Sequence, residues 1–167
     1  MATDKFPSVR EGPIKKAGPS GVMSFTANGA IPMWAPVIVV TPPTATRLPR
    51  IATTTNANDE KVIGIAVGGS GDVAGTGNAA DAAGDAVDVA VIGGGDIVKV
   101  VVTGAAANIV IGDILVTSAT AGRADLSAAL PAIYSNTDNE RYSLGKALFP
   151  STVDGDTIPI ILMGGGA

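Results

Sequence analysis

The chain has 167 residues, with 11 basic and 15 acidic side chains, a formal net charge of −4, no cysteine and no histidine. The absence of those two residue types excludes disulfides, thiolate nucleophiles and imidazole bases, and with them nearly every zinc or haem site. Mean hydropathy is positive, but no apolar run approaches the roughly 20 residues of a membrane-spanning helix, and the first residues lack the apolar stretch of a secretory signal.

Residues 1–21 differ in composition from everything that follows them. Prolines at positions 7, 13 and 19 are too regular for a helix and too dense for a central strand, so we predict an extended arm. Four basic and two acidic residues give this arm a net charge of +2, which leaves −6 for the rest of the chain. A terminus without function is one interpretation. The alternative is an arm that orders on a partner surface, for which the candidate contacts are Lys5, Phe6, Arg10, Ile14, Lys15 and Lys16.

Residues 22–167 carry a β signal. Val and Ile dominate, and the apolar runs are short and bounded by Gly, Pro, Asn, Asp and Thr, which is typical of strands. The best helical candidate, residues 125–130, is barely longer than one turn before a proline. We therefore predict an all-β fold, a compact antiparallel barrel or sandwich. Trp34, which lies among prolines, is expected in core or subunit packing.

Two segments of this β-rich domain lack a strand pattern. Residues 69–84 are a low-complexity stretch of Gly, Ala, Asp and Asn, which predicts a mobile surface loop. Residues 135–141 (SNTDNER) are polar throughout and indicate an exposed excursion between strands.

A Gly-Asp dipeptide precedes a β-branched run at four places. Glycine adopts positive φ without strain, and the following aspartate can accept backbone N–H bonds. We therefore predict a turn, followed by a strand, at each of the four: Gly84 and Asp85, Gly95 and Asp96, Gly112 and Asp113, and Gly155 and Asp156.

Alternation within these runs predicts which side chains share a face. In the first run Val87, Val89 and Val91 lie on one face, and in the next run Val98, Val100 and Val102 do. The short glycine link at residues 93–95 predicts that the two strands form a hairpin. The nearly uniform apolarity of residues 158–163 indicates a strand that is covered on both sides.

Three motifs formally match chemical sites. Residues 75–80 fit the dinucleotide fingerprint G-x-G-x-x-A, but a strand rather than a helix is expected after them. Ser143 and Lys146 fit S-x-x-K without the helix that this spacing requires. The third motif is a group of four carboxylates that could collect calcium but that matches no repeating calcium loop. Its members are Asp72, Asp81, Asp85 and Asp88. We predict no catalytic residue, no cofactor and no metal site, and hence no enzyme.

The succession VIGIAV, GDAVDVAV, GGDIVKVVV, IVIGDILVTSATAGRA and LGKALFPSTVDGDTIPIILMG resembles the phage capsid cement or decoration proteins, small β-rich head-stabilising proteins formerly catalogued as a domain of unknown function. The resemblance covers residues 22–167 and is strongest from Gly84 onward. It implies a homotrimer on the outer capsid surface of a tailed phage, made in the host cytoplasm and bound to the major capsid protein of an HK97-type lattice. The arm and the segment 69–84 depart from the family pattern.

Two other functions remain open. A virion-surface adhesion module, with the segment 69–84 as its recognition tip, fits the β composition but does not explain a basic arm. A carboxylate-dependent hydrolase would need paired acids in a cleft with aromatic platforms, and only 4% of the residues are aromatic. Because the basic residues do not cluster with aromatic ones, we expect a protein partner, with no nucleic acid and no membrane.

Overall fold

The structure is a computed structural model, and it describes residues 21–40, 49–57, 59–103, 108–127 and 143–163. The predicted arm, except for Gly21, and the polar segment 135–141 lie outside these ranges. No helix in the described ranges is long and apolar enough to cross a membrane. The strands are β1 (Val22–Ala27), β2 (Ile31–Pro32), β3 (Pro36–Val40), β4 (Arg50–Thr53), β5 (Val62–Gly69), β6 (Asn78–Ala80), β7 (Ala86–Val91), β8 (Ile97–Val101), β9 (Ile114–Thr117), β10 (Ala124–Leu126), β11 (Gly145–Ala147) and β12 (Thr157–Leu162), and the one helix within these ranges is α1 (Ser70–Ala74).

Five strands close into a barrel in the order β1-β4-β3-β5-β7, with β7 paired back to β1. The β1–β4 pair is parallel, and the other pairs of this barrel are antiparallel. Closure leaves no free edge in the sheet. The predicted all-β fold is confirmed, and of the two architectures considered, this half of the molecule adopts the barrel.

A second sheet has the strand order β10-β9-β11-β12-β8, and all of its pairs are antiparallel. Its two outer strands approach each other at one end, because Val102 forms a parallel bridge with Ala124. The Thr103 N–H also donates to the Ala124 carbonyl at 2.8 Å. The sheet therefore curves around a core of its own.

The two cores meet at β5. Ala66 belongs to the barrel core, while Ile65 and Val67 belong to the second core together with residues such as Ile160. The strand that is covered on both faces is therefore β5. In β12, for which two-sided cover was predicted, burial alternates: Ile158, Ile160 and Leu162 are buried and the residues between them are partly exposed.

The predicted hairpin between β7 and β8 does not form, and this expectation was wrong. β7 is in the barrel and β8 is in the second sheet. The physical reason is that both edges of β7 are already occupied, one by β1 and the other by β5, so the glycine link carries the chain from one sheet to the other. The predicted alternation is confirmed for Val98, Val100 and Val102, which are at most 2% exposed, and for Val87 and Val89, which are fully buried. It is wrong at the end of β7, where Ala90 is buried and Val91 is partly exposed, because Ala90 packs in the second core.

The segment 69–84 differs from the mobile loop that its composition predicts. It contains α1 and β6, and β6 pairs with β2. Ala79 and Ala80 are fully buried in the barrel core. A Cβ on Gly69 would lie 2.3 Å from the carbonyl oxygen of Ala79, so small residues are what allow this segment to pack on the barrel. The helical candidate at residues 125–130 is not a helix at its start, because Asp125 and Leu126 lie in β10, and residues 128–130 lie outside the described ranges.

Candidate functional site

The arm residues proposed from the sequence lie outside the described residues, so their contacts stay a prediction. The chain enters the described body at Gly21, whose carbonyl accepts the Val91 N–H at 2.6 Å. Beside this point lies Asp96, which is 3% exposed and whose Oδ2 has no hydrogen-bond partner among the residues that the structure describes. A Cβ on Gly21 would be 2.7 Å from that oxygen. A buried carboxylate oxygen without a partner is costly, and here it lies directly at the base of the predicted arm.

Trp34 links the barrel to the second sheet. Its backbone N–H donates to the Ala66 carbonyl at 2.9 Å, and its backbone carbonyl accepts the Val101 N–H at 3.2 Å. The residue has a φ of 65°, a conformation that is uncommon outside glycine. Its partly buried ring packs on the second core, and the Lys99 Nζ lies 5.5 Å from the ring centroid, within cation–π range. Trp34 therefore packs against its own chain, and a subunit contact remains a prediction.

The glycines of all four Gly-Asp pairs have positive φ, between 63° and 100°. Asp85 Oδ2 accepts the N–H groups of Asp81 and Ala82 at 2.9 and 3.0 Å. Asp113 Oδ2 accepts the Val110 N–H at 2.8 Å, and Asp156 Oδ2 accepts the Ser151 hydroxyl at 2.8 Å. These three carboxylates stabilise their turns.

The formal chemical motifs do not assemble into sites. α1 ends before Gly75, and β6 follows the glycines of the dinucleotide-like motif, so no helix N-terminus faces them. Ser143 is buried and Lys146 is exposed on β11. Asp81 Oδ1 accepts the Thr76 hydroxyl and the Asn78 amide, both at 2.9 Å. Within the described ranges, no three acidic residues come together to hold a metal ion.

Sequence reasoning missed an exposed apolar surface that two turns form beside the second sheet. Val110 and Ile111 are 54% and 67% exposed, and Leu148 and Phe149 are 36% and 60% exposed. We call these four residues the apolar tip. Large apolar side chains concentrated at turns are unusual in water, because turns favour Gly, Pro, Asn, Asp and Ser.

Backbone hydrogen bonds hold the two turns of the apolar tip side by side. Ile109 and Ser151 exchange N–H···O bonds of 2.9 and 3.0 Å, and the Gly112 N–H donates to the Ala147 carbonyl at 2.8 Å. The Leu148 N–H donates to Pro159 of β12 at 2.9 Å. The turns are thus fixed to the sheet. A signal for them was available in the sequence, since apolar pairs directly precede the turn at Gly112 and the proline at position 150.

No protein-family model matches the chain, and no curated protein matches it. Among solved structures it is similar to the N base of the head fiber gp8.5 of bacteriophage phi29, with 13% sequence identity and a TM-score of 0.49. The match covers 84% of this chain and 92% of that chain. A likeness at this level carries no inference about function.

Proposed function

We propose that this chain is a structural protein of a tailed-phage virion, which binds the outer surface of the capsid and stabilises the shell as a cement or decoration protein. The observation that carries the proposal is the ordered series of Gly-Asp turns and strands, which follows the succession of the cement family. In the structure this series spans both sheets, from the turn before β7 to the turn before β12.

The body has properties that suit a scaffold. It is built from two packed β cores, and the carboxylates of three of its four Gly-Asp turns, those of Asp85, Asp113 and Asp156, are used in local hydrogen bonds. Such a body can present binding surfaces without moving. The major capsid protein of an HK97-type lattice is the proposed partner, together with two further copies of this chain in a homotrimer.

The proposed mechanism is additive. A basic arm with a net charge of +2 on an otherwise acidic chain would contact acidic capsid surface, while the body adds contacts of its own. Because one capsid presents many equivalent sites, linked weak contacts raise the overall affinity by on the order of 10²-fold or more. Any molecule that binds only the assembled shell stabilises it by linkage.

The test compares the full-length protein with a variant that lacks residues 1–20 and keeps Gly21, whose carbonyl bonds to β7. Each is mixed with capsids of the encoding virus that lack this protein, and the capsids are sedimented. Saturable binding of the full-length chain, weakened in the variant, supports the cement function and the role of the arm. Thermal unfolding of both proteins controls for folding. If the full-length chain does not sediment with capsids, the proposal is wrong, and glycan and cell binding should be measured for the adhesion alternative.

A further inference from the structure

We propose that the apolar tip, Val110, Ile111, Leu148 and Phe149, is the surface through which the body docks into an apolar groove of the protein lattice that it decorates. This inference rests on the proposed function and identifies the part of the described chain that makes the contact. It is independent of the arm, which was the contact expected from the sequence.

The first argument is the concentration of exposed apolar surface. The four side chains are between 36% and 67% exposed and come from two turns that are 37 positions apart at Ile111 and Leu148. Together they expose on the order of 400 Å² of apolar surface, the size of the largest patches on monomeric proteins, which are often functional. Scattered exposed apolar residues need no explanation, but four at one place do.

The second argument concerns rigidity. The bonds from Ile109 to Ser151 and from Gly112 to Ala147 lie on either side of the tip, and Asp113 fixes the N–H of Val110. A surface that is already held in one conformation loses little entropy when it binds. The tip is therefore suited to entering a groove of fixed shape.

The exposed area of the tip argues against a second copy of the chain that is held through the tip alone. A stable pairwise interface needs about 800 Å² from each partner, roughly twice what the tip offers. Two copies joined through the tip alone would dissociate. A lattice that also holds the chain by other contacts can use a small docking surface, because linked contacts multiply.

The charged residues near the tip favour a protein groove over a lipid surface as the binding partner. Segments that insert apolar side chains into membranes are usually flanked by basic residues that attract anionic headgroups. The charged residues near the tip include Asp113, which accepts the Val110 N–H, Asp156, which accepts the Ser151 hydroxyl, and Lys146 on β11, and the chain as a whole has a net charge of −4. Nothing in this balance attracts the tip to an anionic membrane, and an uncharged protein groove fits it better.

The experiment uses the full-length chain and capsids of the encoding virus that lack it. The test variant carries Ile111→Ser and Phe149→Ser. The matched control carries Val73→Ser and Met23→Ser, which alter side chains that are 90% and 56% exposed on α1 and β1. We expect the control to bind like the unaltered protein and the test variant to bind at least about tenfold more weakly, the scale of losing buried anchor residues.

Each outcome bears on the proposal. Equal binding by the test variant and the unaltered protein overturns the tip proposal and leaves the proposed function standing, whereas failure of the unaltered protein to bind overturns both. If light scattering shows that the test variant falls to a smaller oligomer and capsid binding is unchanged, the occupant is a second copy. If the unaltered protein floats with vesicles of phosphatidylcholine and phosphatidylglycerol and the test variant does not, the occupant is lipid. Either result overturns the lattice assignment. If the double variant unfolds, the same binding measurement is made with Ile111→Ser alone, because Ile111 is 67% exposed.

Discussion

Gly64 lies in β5, the strand shared by both cores, and its replacement by alanine tests how closely β5 packs against its barrel neighbour β7. A Cβ at this position would be 2.1 Å from the Ala90 carbonyl oxygen and 2.7 Å from Val89 Cγ1. Both atoms belong to β7, so the backbones of β5 and β7 would have to separate by about 1 Å to restore ordinary contact. Because Ile65 and Val67 are held in the second core, β5 cannot simply shift outward.

We expect Gly64→Ala to lower the free energy of unfolding by about 3 kcal/mol or more. Overpacking costs about 1–3 kcal/mol, and each ladder hydrogen bond weakened between the strands adds about 1 kcal/mol. This is a large part of the roughly 5–15 kcal/mol that stabilises a typical domain.

Two other glycines supply controls that separate lack of space from backbone strain. Gly29 has no atom of the described residues within 4 Å of an added Cβ and no positive φ, so its alanine variant should change stability by less than about 0.5 kcal/mol. Gly112 also has open space, but its φ is 94°, and alanine there should cost about 1–2 kcal/mol. Urea unfolding followed by the fluorescence of Trp34, the only tryptophan, measures all three. If Gly64→Ala proves as stable as Gly29→Ala, the close approach of β5 and β7 is refuted.

Three further predictions concern the core, the surface and pH. Ile160→Ala removes a fully buried side chain and should cost about 2–5 kcal/mol in urea unfolding. Arg123→Ala breaks the exposed 2.7 Å pair with Asp154 and should cost less than about 1 kcal/mol, less still in high salt; a larger loss would contradict an exposed pair. Burial raises the pKa of Asp125, although a backbone N–H bond from Leu126 opposes the shift. The folded state therefore holds this proton more tightly than the unfolded chain, so its contribution to stability is present below the ordinary carboxyl pKa and is lost as pH rises through the raised pKa. Asp125→Asn should abolish that slope in unfolding measured against pH.

The sequence predicts local features of this fold well because local chemistry determines them. The positive φ of glycines such as Gly84 and Gly155 follows from the turn each begins, and the alternating burial of β8 follows from the period of a strand. Which strands pair is a different matter. β8 pairs with β12 rather than with its neighbour in sequence, because β7 has no free edge, and edge occupancy depends on elements far away in the chain.

A segment rich in small residues can be either a mobile loop or a closely packed segment, and composition alone does not distinguish the two. Gly and Ala in the segment 69–84 predict a loop, yet a Cβ on Gly71 would lie only 2.7 Å from the Asn78 carbonyl oxygen, so a small residue is required for packing. The apolar tip was missed for a related reason. The apolarity of Val110 and Phe149 is visible in the sequence, but their exposure depends on the bridge between Ile109 and Ser151, which joins distant parts of the chain.

The base of the arm and the apolar tip are attached to different residues of β12, and this separation predicts how their contributions to capsid binding combine. The backbone carbonyl of Asp96, beside Gly21, accepts the Leu162 N–H, whereas the tip is tied to β12 because the Leu148 N–H donates to the Pro159 carbonyl. Those two points on β12 are three residues apart, about 10 Å along the strand. Contacts separated by more than about 7–10 Å without shared partners contribute additively to free energy.

Removal of residues 1–20 together with the serine substitutions at Ile111 and Phe149 should therefore weaken capsid binding by the product of the two separate fold-changes, measured as apparent Kd in the sedimentation assay. The control is the arm deletion combined with the Val73 and Met23 substitutions, which should match the deletion alone. A combined loss no greater than the larger single loss would mean that the arm and the tip act on one shared site. The picture of two independent anchors on one rigid body would then have to be abandoned.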